Sequence, residues 1–121
     1  MRHAPLPFSR TFERILVDAP CSGTGTLGRN PEIKWRLKPE DLDDLHGRQS
    51  ALLANALTLL APGGLLVYST CSLEAEENEQ VVGQALSPAS LVTQRMRRIP
   101  GRDPGDGFYA CVIKSEKPAN D

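Results

Sequence analysis

Two short apolar runs, each ending in a turn that carries a cysteine, constrain this chain more than any other feature. The first is Arg14-Ile-Leu-Val-Asp18, followed by Ala-Pro-Cys21-Ser-Gly-Thr-Gly25. The second is Leu65-Leu-Val-Tyr-Ser69, followed by Thr-Cys71-Ser. Runs this short and this apolar suit strands buried on both faces of a sheet, and the turn-rich segments after them read as loops. Between them lies the strongest helical pattern in the sequence. Pro39 and the acids Glu40, Asp41, Asp43 and Asp44 fit a helix amino terminus, where the dipole favours negative charge. Leu42, Leu45, Gln49, Leu52, Ala56 and Leu60 share a helical face, and Pro62-Gly-Gly64 is a stop signal, so the helix is expected over 39–61. Strand, helix, strand is the building unit of an open α/β sheet.

The rest of the chain continues the alternation. A second helix is expected from about Ser72 to Leu86, with Ala75, Val82 and Leu86 facing inward and Glu74 to Glu79 on a solvated face. Ser87-Pro88 ends it. Leu91–Arg98 reads as a weaker strand, Gly101 to Gly107 as a turn, and Phe108–Lys114 as a last strand, antiparallel and near a sheet edge. Residues 1–12 read as an incoming loop and 115–121 as a frayed tail, and 1–121 is one small domain at most. In an open α/β sheet the ligand crevice lies beyond the carboxyl ends of the strands. Cys21 and Cys71 occupy two such ends.

Composition narrows the chemistry. The formal net charge is −1, which gives no global basic field, so any nucleic-acid contact must use a local patch. Arg29, Lys34, Arg36 and Lys38 supply one beside the first loop. No apolar stretch is long enough to span a bilayer, and the first ten residues do not resemble a signal peptide, which points to the cytoplasm. The three cysteines stand far apart, without a CxxC pair, so neither zinc nor a disulfide framework is expected. His3 and His46 have no partner at ligand or triad spacing. Cys111, inside a strand, reads as a small buried hydrophobe, and Trp35 as a surface hydrophobe. Gly23-Thr-Gly-Thr-Leu-Gly28 matches GxGxxG, but Pro31 forbids the helix that a pyrophosphate site needs there, and no acid ends a strand at the right distance. A nicotinamide-dependent oxidoreductase is rejected on that ground.

Asp18-Ala-Pro-Cys-Ser-Gly-Thr-Gly25 and Tyr68-Ser-Thr-Cys-Ser72, in this order and each at a strand end, resemble the Sun/RsmB/NSUN family of RNA cytosine-C5 methyltransferases. Leu6-Pro-Phe8, Asn30-Pro-Glu-Ile-Lys-Trp35, Pro62-Gly-Gly64, Glu76-Glu-Asn-Glu79 and Asp106-Gly-Phe-Tyr-Ala110 look like the same family. The resemblance runs from about Leu6 to Lys114. It implies the C-terminal half of a Rossmann-like S-adenosylmethionine-dependent methyltransferase fold, with about four strands and two main helices. The first three strands, the glycine-rich cofactor loop and the acids that follow those strands have no match here.

The chemistry implied explains the residue types. Cytosine C5 is too weak a nucleophile to attack a methyl sulfonium. A thiolate added at C6 pushes electron density to C5, which then takes the methyl group; the C5 proton leaves and the thiol is eliminated. The resemblance assigns Cys71 as that nucleophile and Cys21 to release of the product, whereas the DNA cytosine methyltransferases use the cysteine of their Pro-Cys loop as nucleophile. A helix beginning near Ser72 is expected to help Cys71 ionise. Asp18 is implied to face both cofactor and target base, with Pro20 beside it against the cofactor, and Asp18 would bond the N3–N4 edge of the cytosine. The implied partner is rRNA or tRNA with an unstacked cytosine. Without the first strands, the 121-residue chain alone is expected to bind S-adenosylmethionine very weakly, to be inactive, and to self-associate through its exposed sheet edge. The alternative is a non-catalytic domain that binds RNA or a partner.

Overall fold

A computed structural model describes residues 11–26, 38–100, 102–103 and 105–118. Four strands make one mixed sheet: β1 (Phe12–Asp18), β2 (Leu60–Thr70), β3 (Ser90–Arg98) and β4 (Phe108–Ser115). They lie in the order β1-β2-β4-β3. β1 runs parallel to β2, with Ile15 opposite Leu66 and Val17 opposite Tyr68, while β4 runs antiparallel to both of its neighbours. The last strand is therefore antiparallel, as its sequence suggests, and sits one place in from the edge that β3 forms. The helices are α1 (Pro39–Thr58) and α2 (Glu79–Ala85).

Alternation along the strands separates two unlike faces. Val17, Leu66, Tyr68, Cys111 and Ile113 point to the helix side, where they join Leu53, Ala56 and Leu57 of α1 and Val81 and Val82 of α2 in the core. Cys111 is buried in that core, as a small hydrophobe should be. On the other face the register aligns Leu16, Val67, Val112 and Gln94 in one row. Leu16 is 70% exposed there.

The first helix is shorter than its pattern predicts. It ends at Thr58, where the Leu59 amide closes a tight turn onto the Ala56 carbonyl at 3.0 Å. Leu60, fully buried, already belongs to β2. Two causes act together. The residue before Pro62 is pushed out of the helical region. Gly63 takes a positive φ of 75°, and a side chain at Gly64 would meet the Ala61 carbonyl at 2.9 Å. Pro62-Gly-Gly64 thus shapes the entry to β2 rather than the helix stop. The inner face of α1 is also rotated from expectation: Gln49, Leu53, Ala56 and Leu57 are buried, whereas Leu52 is 40% exposed.

The expected helix over 72–86 is two pieces, a 3-10 turn at Ala75–Glu77 and α2. Local side-chain bonds take the backbone groups that a continuous helix would need. The Ser72 amide donates to Thr70 Oγ1 at 3.1 Å, and the Glu74 amide to Ser72 Oγ at 2.9 Å. The inner residues of α2 are Val81 and Val82. At the other end of the chain, Ser115 is buried in β4, the Glu116 amide donates to the Ala89 carbonyl at 2.6 Å, and Lys117 Nζ donates to the carbonyls of Leu57 and Leu60 at 2.9 and 3.2 Å. The lysine bonds carbonyls in the last turn of α1 and at the start of β2, so this part of the expected frayed tail is tied down. No helix among the described residues is long and apolar enough to cross a membrane.

Candidate active site

The carboxyl ends of β1 and β2 lie side by side because the strands are parallel neighbours, and the Ala19 amide extends the pairing to the Ser69 carbonyl at 2.9 Å. Their two loops are then laced together by backbone. Gly25 donates to the carbonyl of Cys71 at 2.8 Å, and its own carbonyl accepts from Gly107, in the turn before β4, at 2.7 Å. An added Cβ at Gly25 would stand 2.3 Å from the Gly107 oxygen and 2.5 Å from the Cys71 oxygen, so only glycine fits between these loops. Thr24 Oγ1 accepts from the Leu73 amide at 2.8 Å, a further tie between the two loops.

This lacing brings the two sequence-predicted cysteines together. Cys21 is half-buried and Cys71 exposed. The backbone amides of Gly23 and Cys71 face the Cys21 sulfur and favour its ionised form. Burial nevertheless dominates and pushes the Cys21 thiol up from its ordinary value, with the charges of Glu77 and Cys71 adding to the shift. Cys71 does not lie at the start of a long helix. An irregular segment and the 3-10 turn separate it from α2, which has seven residues, so the expected help from a helix dipole has no structural basis.

Asp18 and Pro20 are exposed at the end of β1. Asp18 Oδ1 accepts from Ser69 Oγ at 3.4 Å, and the Pro20 carbonyl accepts from Gln49 Nε2 at 2.6 Å. Lys38 is exposed, and its amide donates to Asp41 Oδ2 at 3.0 Å at the start of α1. The other members of the expected basic patch, Arg29, Lys34 and Arg36, lie outside the described residues, as do Gly28 and Trp35. His46 Nδ1 is engaged with the Glu76 carbonyl at 2.7 Å.

One residue overturns its sequence reading. Glu77, assigned to a solvated face, is 0% exposed. Its Oε1 accepts from the Ser22 amide at 2.7 Å and from Gln49 Nε2 at 3.1 Å; its Oε2 accepts from Ser22 Oγ at 2.5 Å and from Ser72 Oγ. An acid-rich run gave no sign of this. The available signal was Gln49, an amide on the inner face of a helix, which demands a buried polar partner.

Comparison with known proteins agrees with this geometry. The family model for the 16S rRNA methyltransferase RsmB/F matches residues 1–98. Ribosomal RNA small subunit methyltransferase B of Enterobacter sp. (strain 638) is 44% identical over 113 residues, covering 85% of this chain and 26% of that protein. The probable ribosomal RNA small subunit methyltransferase B of Coxiella burnetii is 40% identical over 115 residues, covering 84% of this chain and 27% of that protein. The crystal structure of NSun6 from Pyrococcus horikoshii with SFG superposes with a TM-score of 0.81 at 25% identity, over 92% of this chain and 32% of that one. The chain thus spans about a quarter of the length of the curated relatives it matches. The sheet order, the paired cysteine loops and the match over residues 1–98 lead to one assignment: this chain belongs to the 16S rRNA methyltransferase RsmB/F family.

Proposed function

We propose that this chain is the part of an RNA cytosine-C5 methyltransferase that carries its covalent chemistry, with small-subunit rRNA as substrate. The observation that carries the reading is the backbone lacing of the Cys21 and Cys71 loops, which holds the two cysteine-bearing strand ends together. Cys71 is the nucleophile: it is exposed, so a base can reach it, and its thiolate forms the bond to cytosine C6. Methyl addition at C5 and loss of the C5 proton then let the C6–sulfur bond break and return the thiolate. Cys21 assists that release. Cys21 is half-buried and Cys71 exposed, so an incoming base meets Cys71 first. Asp18, exposed beside Ser69, bonds the N3–N4 edge of the base, which must be out of its stack to meet both sulfurs.

S-adenosylmethionine, when bound, supplies the electrophilic methyl group. Asp18 and Pro20 fit one side of such a ligand, but both are exposed, so within this chain they form a wall and not a pocket. The isolated chain therefore binds that cofactor very weakly and transfers no methyl group. The test is a chimera in which this chain replaces the matching segment of the Enterobacter relative. Incubated with labelled S-adenosylmethionine and small-subunit rRNA, it yields 5-methylcytosine in the digested RNA. Label on any other base, or none from a folded chimera, contradicts the reading.

A further inference from the structure

We propose that Glu77 is a positioning residue that clamps the Cys21 loop to the Cys71 loop and so fixes the two thiols relative to each other; this rests on the reading of those cysteines as the working pair. Ser22 and Ser72 are the residues immediately after the two cysteines. One carboxylate takes both: Ser22 through its amide at 2.7 Å and its hydroxyl at 2.5 Å, and Ser72 through its hydroxyl. Each hydrogen-bond partner of the carboxylate among the described residues donates to it, which matches a group that only accepts.

The clamp has a rigid mount. Tyr68 Oη, from the core of β2, donates to the Glu77 carbonyl at 2.8 Å. The next residue, Asn78, accepts from Thr70 Oγ1 at 2.6 Å and donates to the Ser72 carbonyl at 2.9 Å. Glu77 is therefore fixed to the strand that ends in Cys71, while its side chain reaches across to the other loop. Burying a carboxylate is costly, and an apolar side chain could fill the same space with less penalty. What an apolar group cannot do is hold two loops through two oxygens. Burial raises the Cys21 thiol most, and the charge of Glu77 adds to that push.

The test uses the 121-residue chain and a short dithiol-bridging reagent, dibromobimane, with peptide mapping to confirm a Cys21–Cys71 bridge. Bridging rates are normalised to the single-alkylation rate of each thiol and measured well below the melting temperature. Glu77→Gln is expected to slow normalised bridging by about tenfold or more, because thiol pairs are sensitive to small misplacement. Ser22→Ala, which keeps the carboxylate, is expected to slow it less. The two variants also separate charge from looseness. The midpoint pH for Cys21 alkylation falls in Glu77→Gln and stays in place in Ser22→Ala. A role in global stability alone would lower the melting temperature and leave normalised bridging unchanged, which overturns the proposal. If Glu77→Gln does not fold, Ser22→Ala decides: slower bridging supports the clamp, and an unchanged rate overturns it. Bridging needs neither RNA nor cofactor. A clamped pair in a chimera that makes no 5-methylcytosine would sink the functional reading and leave the clamp standing.

Discussion

The amide of Gly25 donates to the carbonyl of Cys71 at 2.8 Å, so the loop carrying one cysteine is held by the backbone of the other. The contact exists only because residue 25 lacks a Cβ, which would stand 2.5 Å from that oxygen. Gly25→Ala must push the loops apart and lose bonds on both sides. A loss of about 2–3 kcal/mol is expected in urea unfolding, at the upper end for overpacking because the obstacles are backbone carbonyls. A loss under about 0.5 kcal/mol would mean that the loops yield without cost.

Tyr68→Phe isolates the mount of Glu77. The ring stays in the core, but the Glu77 carbonyl loses the donor it holds at 2.8 Å. Leaving a buried carbonyl short of a partner costs about 1–2 kcal/mol. Urea unfolding should show a lower midpoint at unchanged slope.

Alkaline pH should destabilise the fold. Burial comes first among the causes that raise Cys21, Cys111, Tyr68 and Tyr109, and Tyr109 is pushed up to about 12. The folded chain keeps protons that the unfolded chain has already released, so stability falls as pH rises. The loss begins near the ordinary thiol value of 9.0 and continues toward the raised value of Tyr109, about 12. Urea midpoints should be flat below that window and decline through it. A flat profile into the tyrosine range would contradict the raised values.

The two cysteine turns were legible in the sequence because an apolar run followed by turn residues fixes a strand end, and parallel pairing of β1 and β2 then puts Cys21 beside Cys71. Helix ends and faces were less legible. Pro62-Gly-Gly64 reads as a helix stop on its own, yet its function is to bend the chain into β2, where a Cβ added at Gly64 would stand 3.0 Å from the Glu13 carbonyl. Leu52 fits the periodic face as well as Leu53 does; only packing against β2 and α2 selects Leu53. Glu77 was least legible. It sits among Glu74, Glu76 and Glu79, and what buries it is Ser22, distant in sequence and brought close only by the sheet.

Self-association through β1 is a prediction, because that strand pairs on one side only among the described residues. A groove of about 480 Å³ runs along it, walled by Leu52, Ala56 and Leu59 of the helix side. The open strand and exposed Leu16 invite pairing with a second copy. Sedimentation should show reversible association of the chain, weakened about tenfold or more by Leu16→Lys, the worth of one buried leucine. A strictly monomeric chain at high concentration would remove the claim.

The most direct test of the division of labour between the cysteines is adduct trapping in the Enterobacter chimera. With Cys21→Ala, Cys71 still adds to C6 but release fails, so an RNA–protein species that survives denaturing electrophoresis should accumulate. With Cys71→Ala, neither adduct nor 5-methylcytosine should form. An adduct in the Cys71→Ala chimera and none in the Cys21→Ala chimera would reverse the roles and contradict the mechanism.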